Sequence, residues 1–242
     1  MEPVFVFGSN LAGRHGAGAA RFAAMWCGAK YGVGEGRQGN AYAVPTKDQS
    51  LRTLPLDRVE EAVQRFIRYA GTHPHEIFQV TKVGTGFAGY SDEQIAPMFS
   101  SAPENCLLPG MWQRRLRHPD LMRVIVAGTR TFHDQGLLSK TMDELLAQWK
   151  GSDISIVSGG AKGADHCGEK WAELRGLPVV QFPANWSLYG KAAGYIRNAH
   201  MAYYATHLVA FLITNAKSHG TRNMIEAARQ GQLTTVVIDC LL

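Results

Sequence analysis

Residues 154–165 read ISIVSGGAKGAD. Ile154 to Val157 is a short apolar run rich in β-branched residues. It gives way at once to Ser158-Gly159-Gly160-Ala161-Lys162-Gly163, and then to helix-forming sequence from Ala164-Asp165. This order predicts a buried strand, a glycine turn and a helix in succession. The first turn of a helix exposes unpaired N–H groups and the positive end of the helix dipole, and glycines let a phosphate come close to them. The same order occurs at RVIVAGTR (Arg123 to Arg130) and near the N-terminus at VFVFGSNLAGRHGAGAA (Val4 to Ala20), with a further turn at His219-Gly220-Thr221. Together these turns imply two nucleotide sites in one chain.

Outward from these turns, apolar runs alternate with helical spacing. In the first half, strands are expected at Val4–Phe7, Asn40–Val44 (stopped by Pro45) and Ile77–Val83. Helices are expected at Ala17–Lys30 and Leu56–Gly71, with a capped start at Ser91. In the second half, strands are expected at Arg123–Ala127, Ile154–Val157, Val179–Phe182, Leu208–Ile213 and Thr234–Ile238. The helices between them are Met142–Trp149, Ala164–Arg175, Ala192–Ala205 and Gly220–Gln230. Such alternation means parallel sheets with helices on both faces, and ligands bound beyond the carboxyl ends of the strands. The segment Leu108 to Leu121, with two prolines and Arg114, Arg115 and Arg117, breaks the pattern. It marks a boundary near residue 120, and its arginines are either a solvated linker or a phosphate contact.

The chain has 242 residues, 26 of them glycine, and 45% hydrophobic content, ordinary for a globular protein. A formal charge of +5 mildly favours anionic partners, but no Lys/Arg run is long enough to name a nucleic acid. Cys27, Cys106, Cys167 and Cys240 are far apart, so no zinc site or disulfide framework is expected. The N-terminus lacks a signal-peptide pattern, and the longest apolar run near the C-terminus, Leu208 to Ile213, is too short to span a bilayer. A soluble cytoplasmic protein with no metal and no membrane contact is the expectation.

In the first half, Gly8-Ser9-Asn10 ends a strand, Gly16 and Gly18 follow, and Gly84-Thr85-Gly86-Phe87-Ala88-Gly89-Tyr90 forms a second glycine loop. Facing loops of this kind offer N–H donors to both sides of a diphosphate. These motifs resemble the macrodomain family in a short phage or bacterial form, over roughly residues 1–112. The resemblance implies that the loops clamp the diphosphate of ADP-ribose and that Asn10 faces the distal ribose. There is no Gly-Asp-Ile segment to recognise adenine, and His15 interrupts the glycine run. His15 is either a general base beside a ribose or a surface loop residue. Lys47 and Asp48 lie either at the pocket rim or in a plain turn, and Lys82 adjoins the second loop.

In the second half, residues 122–242, the motifs are Gly128-Thr129-Arg130, Ser158-Gly159-Gly160-Ala161-Lys162-Gly163-Ala164-Asp165, Tyr189 to Gly194 with Arg197-Asn198, and Ser218-His219-Gly220-Thr221. Arg130 at a strand end suits a bidentate phosphate grip. Asp165 either complements the helix dipole or bonds a ribose hydroxyl. These motifs resemble the SLOG superfamily, which includes LOG-type phosphoribohydrolases and DprA-type DNA-processing proteins. The Arg197-x-x-x-Met201 spacing matches that around the catalytic arginine of the LOG enzymes, but Met224 stands where they carry a glutamate, and Glu226 falls on another side of the helix. Trp186, Tyr189, Tyr203 and Tyr204 either stack a base or pack internally.

The expected architecture is therefore two three-layer α/β domains, the first macrodomain-like and the second a Rossmann-like SLOG unit with a parallel sheet. The expected function is binding or sensing of NAD-derived nucleotides such as ADP-ribose, without a further cofactor. The resemblances imply a setting of bacterial or phage nucleotide-signal conflict, including anti-phage defence, and a homodimer. Two rivals remain. One is an ADP-ribosyl or N-glycosidic hydrolase using Asn10, His15, Asp48 or Arg197. The other is a DprA-like module using the basic cluster, with nucleic acid not favoured as a partner.

Overall fold

The computed structural model describes residues 3–149, 153–214, 216 and 218–240, so Lys217 in the last glycine turn lies outside the described residues. The chain divides into two compact α/β units, Met1–Trp112 and Gln113–Leu242.

The first unit runs β1 (Val4–Asn10), α1 (Gly18–Trp26), β2 (Gly36–Gln38), β3 (Ala41–Lys47), α2 (Leu56–Gly71), β4 (Phe78–Val80), α3 (Asp92–Ile95) with a 3-10 turn at Ala96–Phe99 and β5 (Cys106–Leu107); α4 (Gly110–Leu116) begins in it and continues into the second unit from Gln113. The sheet order is β2-β3-β1-β4-β5, parallel except for β2 against β3. β1 is central, and its VFVF start is buried throughout because helices cover both faces. Alternation sends Phe5 and Phe7 under α1, where they meet Ala20 and Ala23. α2 buries Val59, Ala62, Val63, Phe66, Ile67 and Ala70, a stripe at helical period. Phe66 anchors an aromatic cluster with Phe78, Phe99 and, through Phe99, Trp112.

Four expectations need correction here. α1 ends at Trp26, not Lys30, because Gly28 adopts φ +76°. β3 runs through Pro45 to Lys47. Its ladder to β2 ends at Ala43, so Pro45 sits in an edge stretch where a missing N–H is tolerated. β4 stops at Val80, so Lys82 is in the loop and not mid-strand. The segment Leu108 to Leu121 is not an open linker: it holds α4, with Trp112 only 1% exposed.

The second unit runs β6 (Leu121–Gly128), α5 (Gln135–Gln148), β7 (Asp153–Ser158), α6 (Ala164–Glu173), β8 (Val179–Gln181), α7 (Trp186–Tyr189), a 3-10 turn at Gly190–Ala192, α8 (Ala193–Tyr204), β9 (His207–Ile213), α9 (His219–Gln230) and β10 (Thr234–Cys240). The order β10-β9-β6-β7-β8 is parallel throughout, with the chain reversing direction of travel between β6 and β9. That is the place where α/β sheets open a crevice. Asp134 starts α5 by accepting from the Leu137 N–H at 2.8 Å, seven residues before the expected start. Phe132, Trp171 and Phe211 fill the core, and the Trp171 indole donates to Asp143 at 3.1 Å.

Arg114 of α4 donates to the Pro119 carbonyl at 3.0 Å and lies 3.5 Å from the His207 ring. Burial, then the Arg114 charge, pushes His207 down to about 4. This arginine therefore braces the strand entrance.

α6 crosses β6 at Gly168, where an added Cβ would sit 2.7 Å from Val126 Cγ1 and 2.8 Å from its Cβ. Val126 is rigid at χ1 and fully buried, so it has nowhere to yield. Gly168→Ala is expected to lower stability by about 1–3 kcal/mol through overpacking, outweighing the gain of about 1 kcal/mol in helix propensity. Thermal melts should show the loss, and adding Val126→Ala should recover part of it.

Candidate functional site

In the second unit, two strands end in glycine turns, and a third, β9, leads to α9, whose first turn holds Gly220. β6 leads into Gly128-Thr129-Arg130, β7 into Ser158 to Gly163, and β9 into the turn before α9. Thr129 joins two of them: its N–H donates to Phe211 O at 3.0 Å, and its hydroxyl accepts from Ile213 N–H at 3.1 Å. Gly128 and Gly163 are glycines for steric reasons. A Cβ on Gly128 would strike Phe211 O and Ala164, and one on Gly163, at φ +87°, would strike the Thr129 carbonyl.

Arg197 reaches from α8 to this point. Its Nη1 donates to the Gly159 carbonyl, and its guanidinium occupies the space a side chain at 159 would need. Asp165, 6% exposed in the first turn of α6, lies beside it and accepts from Ala161 N–H at 3.3 Å. Burial pushes the Asp165 carboxyl up to about 6, against the pull of Arg197 and the loop amides. Burial likewise lowers Arg197, opposed by Asp165 and reinforced by Arg130. In both partners desolvation outweighs their attraction, as expected of a pair removed from water. Arg130 is exposed and has no ion pair among the described residues; Asp134, its nearest candidate in sequence, caps α5 instead. The Arg197 Nε is buried without a hydrogen-bond partner, and so is the Ser218 hydroxyl.

Other predicted residues have structural partners. Asn198 donates to Gly220 O at 3.1 Å and Asn223 Oδ1 at 2.9 Å, tying α8 to the start of α9. Ser158 donates to Glu169 at 2.6 Å while accepting from Gly160 N–H at 3.0 Å, which shapes the glycine turn. The sequence reading missed Glu169, although Asp165 and Glu169 at i, i+4 share one helix face. Thr221 is buried in the first turn of α9, and no side chain crowds Gly220. Met224 is buried, and Glu226 accepts from Gln230 at 2.8 Å. Trp186 and Tyr195 are exposed, whereas Tyr204 lies under the Arg123 guanidinium at 4.0 Å.

In the first unit, the loops after β1, β3 and β4 meet. A Cβ on Gly18, at φ +53°, would be 3.2 Å from the Phe87 ring. Thr53 donates to Ala88 O at 3.1 Å, and the Tyr90 hydroxyl donates to Leu54 O. Gly89 N–H to Gly86 O (2.9 Å) and Tyr90 N–H to Gly84 O (3.1 Å) close the second loop on itself. The N–H groups of Gly16, Ala17 and Gly18, and of Gly86, Phe87 and Ala88, have no acceptor among the described residues. Gly8 lies against Gly84, where a Cβ would be 3.3 Å from the Gly84 nitrogen. Ser9 donates to Gly34 O, and Thr85 donates to Lys82 O at 3.1 Å.

The polar side chains proposed for chemistry in this unit are placed differently from the expectation. His15 is buried, 4% exposed, with its ring edge-on to Phe7, neither at the surface nor open to a ligand. Asp48 is engaged by Ser50 N–H (2.8 Å), Arg52 N–H (2.9 Å) and Arg52 Nε (2.8 Å), and the Arg52 bonds hold its carboxyl below the usual range. It braces a turn. Asn10 uses its side chain on Arg14, accepting from its N–H at 2.9 Å and donating to its carbonyl at 2.8 Å. Lys82 pairs with Asp92 at 2.6 Å, largely buried. Among the described residues no group of three or more His, Cys, Asp or Glu is arranged to hold a metal, and no helix is long and apolar enough to cross a membrane.

Comparison with known proteins agrees with the geometry of the second unit. The "Gene 61 protein" of Mycobacterium phage D29 is 29% identical over 122 residues, 48% of this chain and 95% of that protein. No solved structure matches the chain significantly. Residues 122–189, from β6 to the end of α7, match the model of the YspA, cpYpsA-related SLOG family (YAcAr). The chain thus carries a SLOG-family domain there, a nucleotide-related Rossmann-like unit.

Proposed function

We propose that the chain is a two-domain nucleotide binder or sensor for NAD-derived ligands. Unpaired donors carry the reading: among the described residues, the N–H groups of Gly16 to Gly18 and of Gly86 to Ala88 at the carboxyl edge of the first sheet have no acceptor, and at the same edge of the second sheet Arg130 has no ion pair and the Arg197 Nε no hydrogen-bond partner. Such groups are donors awaiting an anion. In the second unit the anion is a nucleotide phosphate, bound between Arg130, Arg197, the turn at Gly159 and the first turn of α9 at Gly220. In the first unit, two amide-bearing loops meet at Gly18 and Phe87, a clamp suited to the diphosphate of ADP-ribose, with exposed Phe87 against the sugar or base. The macrodomain resemblance of that half supports the same ligand. A hydrolase reading is weaker, because Asp48 and Asn10 are spent on their own turns and Met224 is buried. Calorimetry of the full chain against ADP-ribose, NAD and AMP tests the proposal; no binding of any of them overturns it.

Gly86 has open space where a Cβ would project, so Gly86→Glu is expected to fold. Its carboxylate is expected to abolish ADP-ribose binding by entering the diphosphate position. Parent-like affinity in a folded variant would exclude this pocket.

Arg130→Ala is expected to weaken AMP binding about 10- to 100-fold, since a charge-assisted bond contributes about 1.5–3 kcal/mol at about 1.4 kcal/mol per decade. ADP-ribose binding by the first unit is expected to be unchanged, which titration of the Gly86→Glu and Arg130→Ala variants in parallel would establish.

Asp165 supplies a pH dependence. Its carboxyl titrates near about 6 when folded, above the ordinary carboxylate value. Below that pH it is neutral, and an anion beside Arg197 meets no carboxylate; above it, the two repel. Sulfate, which does not titrate in this range, is expected to bind more tightly as pH falls from 8 to 5.5, and Asp165→Asn to flatten the profile. The same shift makes folding stability fall as pH rises between the unfolded and folded pKa values. Asp165→Asn is therefore expected to raise the melting temperature at pH 7 and leave it nearly unchanged at pH 3.5.

A further inference from the structure

Each sheet has two edges, and three of the four are short: β2 and β8 have three residues and β5 has two. The fourth, β10, has seven, TTVVIDC. Brevity, charged side chains and proline are the usual means of stopping an edge from accepting another strand. β10 is long and free of proline, and its only charge is Asp239 near its end.

The direction of its free hydrogen-bonding groups is fixed. Thr234 N–H donates to Thr206 O at 3.1 Å, and Cys240 O accepts from Thr214 N–H at 3.0 Å. Even-numbered residues therefore point their backbone groups at β9, and Thr235, Val237 and Asp239 point theirs outward. Along the same stretch Thr235, Val236, Val237 and Ile238 are only half-buried, while their partners on β9, Leu208 to Phe211, are buried.

We propose that β10 pairs antiparallel with β10 of a second copy of this chain, about a two-fold axis at Val237, giving one ten-stranded sheet. A two-fold requires a strand complementary to itself. With Val237 facing Val237, Thr235 faces Asp239 and Val236 faces Ile238. The outward residues then form hydrogen-bonded pairs, exchanging both N–H···O bonds. The single carboxylate of each strand lies opposite a threonine hydroxyl, and apolar residues face apolar residues. Centring the pair on Asp239 would oppose two carboxylates. The two carboxyl edges point in opposite directions in this dimer, so the anion sites remain separate.

The test is the mass of the full chain in solution by light scattering and sedimentation, with substitutions at the self-facing position. The parent is expected to be a dimer. Val237→Lys and Val237→Asp each place like charges face to face and are expected to be monomers with parent-like AMP affinity; mixing the two variants is expected to restore a dimer. Val237→Cys is expected to form a covalent dimer on mild oxidation that the parent, with its own cysteines, does not form. A monomeric parent overturns the proposal, as does a dimer unaffected by both charge substitutions. If those variants fail to fold, absence of the Val237→Cys cross-link overturns it by itself.

Discussion

The carboxyl edge of the second sheet depends on the absence of side chains at a few positions. Gly128 and Gly163 are the points at which β6, β9 and the start of α6 come within backbone distance of one another, and Gly159 is where an α8 side chain reaches the turn after β7. A methyl at Gly128 would separate β6 from β9, and one at Gly163 would push α6 off the turn after β6. At Gly159 the missing side chain is replaced by the Arg197 guanidinium, so steric vacancy and positive charge coincide. Asp165 then holds the turn from the other side. This edge is tight because it is bare, and it is electropositive because bare backbone presents N–H groups and leaves room for arginine.

The first sheet uses the same device with different partners. Gly8 allows β1 to approach Gly84, and Gly18 makes room for Phe87. No arginine is inserted; hydroxyl groups of Thr53 and Tyr90 tie the loop after β4 to the segment after β3. One edge is thus prepared by charge and the other by shape.

Most of this was legible in the sequence where local chemistry and tertiary context agree. α2 matches its apolar period at both ends, β6 and β7 were visible as apolar runs ending in glycine, and β9 as an apolar run alone. The failures share a cause: the deciding contact was remote. Pro45 looked like a strand terminator, but β2 had already left that part of β3 without a neighbour. The prolines around Leu108 to Leu121 looked like a linker, but Trp112 had a core to enter. His15 looked like a loop residue because nothing in a glycine-rich sequence announces that the chain folds back over Phe7. For side chains, residue types were easier to read than roles: Asn10 and Asp48 fasten their own turns, and Asn198, in the middle of α8, ties that helix to α9. Residues 122–189 carry the family match, and they are also the residues whose motifs are most local.

The hydrogen bond from Ile213 to Thr129 joins residues 84 positions apart. β6 therefore has a neighbour on one side, β7, soon after it is made, but gains β9 on the other only after α8 has been traversed. Closing such a long loop costs conformational entropy before any contact rewards it, and non-local pairing of this kind slows folding. Until β9 is made, any sheet formed by β6, β7 and β8 has β6, the middle strand of the finished sheet, as an apolar edge. β6, buried at six of its eight positions in the folded unit, is open along one side until residues 207–213 arrive.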